Sequence, residues 1–81
     1  MTYSEKTQRA LDKYTRVLVR RQPGWLRKLF ETGEVWFGLD GGFLQMYCKD
    51  LDPVVKDRAS RLVSNYLEKH PTPSIRVLEV Q

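Results

Sequence analysis

The feature that most constrains the fold is a change of apolar period in the middle of the chain. Across residues 34–49 apolar side chains recur at every second position, and the turn-forming residues Asp40, Gly41 and Gly42 lie at the centre. This alternation around a Gly-containing turn is typical of a β-hairpin. The sequence therefore predicts two antiparallel strands at about residues 35–48.

The register of this hairpin follows from which side chains share a face. A two-residue turn at Gly41 and Gly42 places all the aliphatic strand residues on one face, together with a phenylalanine and a cysteine. This set is Val35, Phe37, Leu39, Leu44, Met46 and Cys48. The opposite face would carry Trp36, Gly38, Gln45 and Tyr47, and could include Phe43. A three-residue loop would scatter the apolar set over both faces, so an even loop is predicted.

Three amphipathic segments predict helices on either side of the hairpin. The first covers about residues 3–21, and its apolar side chains fall within an arc of about 120°. They are Ala10, Leu11, Tyr14, Val17 and Leu18. The second helix begins at Pro23 and is capped by Gly33, which suits a left-handed C-terminal residue. The third is capped by Asp52 and runs to about Lys69. Its predicted buried stripe is Val55, Ala59, Leu62, Val63 and Tyr66.

The last strand and the overall fold class follow from the C-terminal residues. Residues 75–80 are rich enough in β-branched side chains to predict a strand, and a right-handed crossover would place it parallel to the second hairpin strand. We therefore predict a small two-layer α+β domain, a single domain over residues 1–81, with element order α-α-β-β-α-β, a three-stranded sheet and three helices. Such a sheet is apolar on both faces, so helix 2, a second copy of the chain or a ligand must cover the second face.

The net charge of +4 is confined to the first part of the chain. Residues 1–34 hold eight Lys and Arg against four Asp and Glu, whereas residues 35–81 hold six of each sign. Five cations of the first helix share an arc of about 80°, and we call them the cationic ridge. They are Lys6, Arg9, Lys13, Arg16 and Arg20. The ridge spans about 21 Å of helix, which is long enough to neutralise several phosphates.

Nucleic-acid binding, to DNA or RNA, is the leading functional prediction. The cationic ridge would contact phosphates, with Arg27 and Lys28 as flanking contacts. Trp36 and Tyr47 would be stacking groups, because bases stack on exposed aromatic side chains of a sheet. Two plainer interpretations remain open. The ridge could be a solvated outer face whose long stems cover apolar surface, and the aromatic side chains could be core residues under helix 2.

The alternative function is that of a protein-interaction or regulatory subunit. A sheet that is apolar on both faces offers an edge strand and an aromatic face for pairing. The chain would then form a homodimer, or dock on a larger protein partner, through one of these surfaces.

Catalysis and cofactor binding are not predicted. The one thiol, Cys48, belongs to the apolar face of the hairpin, and the one imidazole, His70, falls where the third helix ends and a cation is favoured by the helix dipole. Asp50 and Asp52 are two residues apart, but Asp52 is the natural helix cap and the spacing does not fit a calcium loop. We expect a non-enzymatic protein without a metal ion or cofactor.

The compartment is predicted from cysteine usage and from the absence of targeting patterns. A single cysteine cannot form an internal disulfide, which favours a reducing environment. The first ten residues lack the pattern of a secretory signal, and no apolar run approaches the length of a membrane span. We therefore expect a cytoplasmic protein that makes no use of a membrane.

Overall fold

The computed structural model describes residues 5–40 and 43–72. These residues form three helices and one antiparallel pair of strands. In chain order the elements are α1 (Glu5–Arg20), α2 (Gly24–Thr32), β1 (Val35–Asp40), β2 (Phe43–Cys48) and α3 (Pro53–Lys69). The described part of the chain is thus a small α+β arrangement.

The predicted three-stranded sheet is wrong, because the sheet consists of β1 and β2 alone within the described residues. Their element order is α-α-β-β-α, and not α-α-β-β-α-β. Residues 75–80, which were assigned to the last strand, lie outside the described residues. The assignment depended on β-branched composition. That composition reports how well side chains fit a half-buried sheet, and it does not itself supply a neighbouring strand.

The predicted hairpin and its even loop are confirmed. The apolar side chains pair across the strands in the expected register, with Val35 opposite Cys48, Phe37 opposite Met46 and Leu39 opposite Leu44. We call the face that carries these six residues the inner face. The outer face carries the remaining pairs, which are Trp36 with Tyr47, Gly38 with Gln45 and Asp40 with Phe43.

Local hydrogen bonds explain where α1 and α2 end. Gln22 is buried, and its side-chain amide donates to the carbonyl oxygen of Leu18 at 3.2 Å, which satisfies an acceptor at the end of α1. Pro23 forces a break, but it occupies the N-cap of α2 and not its first turn as the sequence suggested. Gly33 ends α2 in the predicted left-handed conformation, with a φ of 80°.

The boundaries of α3 agree with the sequence prediction. The carboxylate of Asp52 accepts a hydrogen bond from the backbone N–H of Val54 at 2.9 Å, and Pro53 starts the helix. His70 is the C-terminal cap residue, and its backbone N–H donates to the carbonyl oxygen of Tyr66 at 2.9 Å.

The core lies where the three helices meet the inner face. Leu18, Leu26, Ala59 and Val63 form one buried cluster, with one residue from α1, one from α2 and two from α3. The ring of Phe30 stacks on Phe37 with centroids 4.9 Å apart and so joins α2 to the inner face. Helix α2 therefore packs on the inner face and does not cover the outer face, so the interpretation that placed Trp36 and Tyr47 beneath it is wrong.

Candidate nucleic-acid interface

The cationic ridge lies on the outward side of α1. Leu11 and Leu18 are buried and mark the core side of this helix. At about 100° per residue, the five cations lie on the opposite side. All five are exposed: Lys6, Arg9, Lys13, Arg16 and Arg20. Burial of Leu11 and Leu18 fixes the rotation of α1 and thereby turns the ridge to solvent.

Intramolecular ion pairing leaves the charge of the ridge almost untouched. Arg9 lies 4.0 Å from the carboxylate of Glu5, but the two side chains are 83% and 92% exposed. Such a surface pair is worth little in water. Among the residues that the structure describes, no other ridge cation has a carboxylate within 4.0 Å. The ridge is therefore a cationic surface that an external anion could neutralise.

Asp12, the acidic residue in the middle of α1, is turned towards the hairpin. It accepts a hydrogen bond from the side-chain amide of Gln8 at 3.0 Å. Both residues line a groove between α1 and the inner face, together with Phe37 and Leu44. Asp12 thus interrupts the run of cations in sequence but lies beside the ridge, not within it.

The predicted flanking cations belong to α2. Arg27 and Lys28 are both exposed. Leu26, which precedes them in α2, is fully buried. Helical periodicity places Lys28 on the side of α2 away from Leu26 and Arg27 at the flank. They add two exposed positive charges on a second helix.

The outer face of the hairpin exposes a stacked pair of aromatic rings. Trp36 is 43% exposed and Tyr47 is 37% exposed. Their ring centroids are 6.2 Å apart with an interplanar angle of 21°. Gly38 makes this possible, because a Cβ atom at that position would lie only 2.8 Å from Cε2 of Tyr47. The Tyr47 ring therefore lies directly over the backbone of the neighbouring strand.

The ridge and the outer face point in different directions. The groove between α1 and the hairpin is lined by Leu11 and Thr15 from the helix and by Phe37 and Leu44 from the inner face, so α1 lies on the inner side of the sheet. Strand side chains alternate between the two faces, so Trp36 points away from α1. The structure brings the five ridge cations together, but it does not bring Trp36 and Tyr47 to them.

An aromatic groove between α1 and α3 was missed by the sequence reasoning. It has a volume of about 370 Å³ and is lined by Ala10, Lys13, Tyr14, Val17, Tyr66 and His70. We call it the α1–α3 groove. Tyr14 and Tyr66 were assigned to the core, and His70 to helix capping alone. The signal that could have revealed the groove is the spacing of four between Tyr66 and His70, which places both rings on one side of α3.

The rings of this groove contact one another. The centroid of Tyr66 is 4.5 Å from that of His70 and 6.0 Å from that of Tyr14, which it meets edge-on. The hydroxyl of Tyr14 donates a hydrogen bond to the backbone carbonyl of His70. Burial, and to a smaller extent the neighbouring Tyr66, raises the pKa of Tyr14 above its usual value of 10.0.

A second groove with basic and aromatic lining lies between α2 and α3. Trp25, which is 41% exposed, lines it with Arg58, Arg61 and Leu62. Arg61 lies 3.1 Å from the carboxylate of Asp57, so its charge is already partly paired. With two cations against the five of the ridge, this groove is the weaker anion site.

Among the described residues, the side chains that could act in catalysis or metal binding do not form a cluster. Cys48 is half-buried on the inner face. Within residues 5–40 and 43–72, no three His, Cys, Asp or Glu side chains lie close enough together to hold a metal ion. The helices of the described residues are also all too short or too polar to cross a membrane.

No model of a known protein family matches the chain, and neither the curated proteins nor the solved structures gave a match.

Proposed function

We propose that the protein is a non-enzymatic nucleic-acid-binding module that contacts phosphates through the cationic ridge. The observation that supports this most directly is the exposure of all five ridge cations, of which only Arg9 has a carboxylate nearby within the described residues. A basic outer face whose role was purely structural would gain from ion pairs with neighbouring acids, and Asp12 instead bonds Gln8.

The physical basis of the binding is counterion release. Duplex DNA carries about one charge per 1.7 Å of axis, so a ridge of about 21 Å passes more phosphates than it has cations. Each neutralised phosphate releases condensed counterions, and the affinity then falls with salt by roughly 0.9 log units per contact per tenfold change in salt. Arg27 and Lys28 would add contacts from α2.

The proposal is tested by retardation of labelled single-stranded and duplex oligonucleotides, first at about 50 mM salt and then with rising salt. The ridge variant carries Arg9→Glu, Lys13→Glu and Arg16→Glu. We expect its affinity for both oligonucleotides to fall by roughly 100-fold or more, because three phosphate contacts become repulsive.

The matched control reverses the same number of charges on exposed residues outside the ridge and the grooves, with Lys49→Glu, Lys56→Glu and Lys69→Glu. The control variant has the same net charge as the ridge variant. Any loss of affinity that comes from net charge alone therefore appears in both variants. We expect the control to lose only a few-fold in affinity. No binding by the parent protein at low salt, or equal losses in the two variants, would refute binding through the ridge.

A second candidate function, in which the outer face docks on a protein, is supported by the exposed pair Trp36 and Tyr47. Contiguous exposed aromatic surface is typical of interaction sites. In the described sheet, β1 and β2 have no further neighbouring strand, so each could accept a strand from a partner. The partner would be a second copy of the chain or a larger protein.

Sedimentation velocity at several protein concentrations tests the homodimer form of this second candidate. Concentration-dependent doubling of the mass should disappear in a variant with Trp36→Ser and Tyr47→Ser. The ridge variant, which leaves the outer face intact, serves as the comparison. A strict monomer at all concentrations would leave only docking on a different, larger partner.

We also propose that the protein works in a reducing compartment, namely the cytoplasm. The support is the cysteine content, since Cys48 is the only cysteine of the chain and so cannot close an internal disulfide. Enrichment of the tagged protein in a soluble cytoplasmic fraction of cells is expected, and its recovery from a membrane or secreted fraction would contradict this proposal.

A further inference from the structure

The α1–α3 groove lies along one flank of the cationic ridge. On the α1 side it is lined by Ala10, Lys13, Tyr14 and Val17. Lys13 belongs to both features, because it lines the groove and is also the central cation of the ridge. At about 100° per residue, Lys6 lies on this same flank of α1. A polyanion that follows the ridge would therefore pass along the opening of the groove.

The chemistry of the groove suits a planar aromatic group. Three of its six lining residues carry aromatic rings, and Ala10 and Val17 add aliphatic surface. Its volume of about 370 Å³ falls within the roughly 300–1,000 Å³ typical of small-molecule sites. His70 is exposed, and the hydrogen bond from Tyr14 to its carbonyl oxygen ties the end of α3 to α1 at the groove.

We infer that the α1–α3 groove accepts an unpaired base of a single-stranded nucleic acid whose phosphates lie on the cationic ridge. This inference deepens the proposed function and rests on it. The pairing of a stacking surface with adjacent cations is the arrangement by which proteins hold single strands, because every base offers a π-face and every nucleotide a phosphate. Bases in a duplex are stacked on one another and cannot enter such a groove without being unpaired.

The geometry also distinguishes this groove from the outer face as a stacking surface. Trp36 and Tyr47 point away from the helices, so a strand bound to the ridge would have to wrap round the domain to reach them. The rings of Tyr66 and His70 lie beside Lys13 itself. A base can therefore be held beside the ridge, next to its own phosphate, at the α1–α3 groove.

Two variants test the inference without changing any cation of the ridge. Ala10→Leu fills the groove from α1 with a residue that favours helix, and Ala10 is already partly exposed, so folding should be retained. His70→Ala removes a stacking ring, while the capping hydrogen bond is retained because it is made by the backbone N–H. The matched control is Asn65→Leu, which adds a leucine to an exposed position of α3 outside the groove.

The probes are a labelled oligothymidine of roughly 20 nucleotides and the matching duplex, at about 50 mM salt. We expect both groove variants to bind the single strand roughly 5- to 150-fold more weakly, as for the loss of one stacked base. Their affinity for the duplex should stay within about twofold of the parent protein, and Asn65→Leu should change neither.

Three other outcomes would overturn the inference, and each identifies the step that fails. Unchanged single-strand affinity in both groove variants, with binding still lost in the ridge variant, would refute the groove and leave the proposed function intact. Equal losses for single strand and duplex would show that the groove variants act on the ridge, and not on a base. Absence of binding to both probes by the parent protein would refute the proposed function together with the inference.

Discussion

Helix α1 and the β-hairpin each have one side in the core and one side in solvent, but their solvent sides are chemically opposite. The outward side of α1 carries five cations and no aromatic ring, whereas the outer face of the hairpin carries Trp36 and Tyr47 and no cation. The core sides are alike, since Leu18 is fully buried and Val35 is nearly so. Burial of apolar side chains in the core therefore explains the core sides of both elements.

The solvent sides of the two elements need a different explanation. An exposed cation on α1 contributes little to folding, because it loses no water and has little to pair with. An exposed tryptophan costs solubility without adding to the core. Each outward surface is better explained by what it could bind: a polyanion at the ridge, and an apolar partner at the hairpin. We therefore expect substitutions of buried side chains to change stability, and substitutions of exposed side chains to change binding.

The largest expected effect comes from the inward side of α1. Replacement of Leu18, which is 0% exposed and belongs to the central cluster, by alanine should lower the free energy of unfolding by about 2–5 kcal/mol. Replacement of the exposed Arg16 by alanine should change it by less than about 0.5 kcal/mol. Urea unfolding of both variants measures the contrast. A similar loss for both would mean that the ridge side is structural.

A smaller effect is expected on the outer face of the hairpin. Trp36→Ser removes a stacked cross-strand pair with Tyr47, and such pairs contribute about 0.5–1.5 kcal/mol. Duplex affinity at low salt should be unchanged, because the ridge faces away from this surface. Urea unfolding and oligonucleotide retardation are measured on the same protein preparation. A clear loss of affinity with normal folding would show that nucleic acid contacts the hairpin.

The contact between α1 and the end of α3 should produce a pH dependence at high pH. The raised pKa of Tyr14 means that the folded protein keeps this proton more tightly than the unfolded chain does. Its contribution to stability is therefore complete below about pH 10 and falls as the pH rises through the pKa of the folded state.

Tyr14→Phe isolates this contribution, because the variant lacks only the hydroxyl that donates to His70. We expect it to lose about 0.5–1.5 kcal/mol of unfolding free energy at neutral pH, with a smaller loss above pH 10. Urea unfolding at neutral pH and above pH 10 gives both values. An equal difference between parent and variant at both pH values would exclude the titration of Tyr14 as its cause.

The smallest effect is expected at Gly38. A methyl group there would lie 2.8 Å from Cε2 of Tyr47, so the ring, which is partly exposed, must swing aside. Gly38→Ala should therefore change stability by less than about 1 kcal/mol, because alanine gains strand propensity while the ring contact is lost. Near-ultraviolet circular dichroism should report the disturbed Trp36 and Tyr47 pair. An unchanged spectrum would mean that the rings are not stacked in solution.

The sequence predicted the elements whose signals are local. The alternation around Gly41 and Gly42 was sufficient for the hairpin register, because a shift of one residue would have turned its apolar face to water. The cap formed by Asp52 with Pro53, and the left-handed Gly33, are likewise decided within a few residues. The cationic ridge could be predicted for the same reason, since it depends only on helical period.

Features that depend on how elements pack could not be predicted in this way. The third strand needed a neighbour that composition alone does not specify, and the packing of α2 depends on the contact between Phe30 and Phe37. The separation of the ridge from Trp36 and Tyr47 follows from that packing. The α1–α3 groove is formed by residues 56 positions apart in the chain, Tyr14 and His70, so periodicity within one helix did not reveal it.

The most direct test of the central claim is a titration of isotope-labelled protein with a single-stranded oligonucleotide, followed by backbone amide NMR shifts. Binding through the ridge predicts the largest shifts along α1, at Arg9, Lys13 and Arg16, with a second group at Tyr66 and His70. The amides of Trp36 and Tyr47 should move little. Shifts concentrated on the hairpin, with α1 unperturbed, would contradict the claim that the cationic side of the molecule is the binding surface.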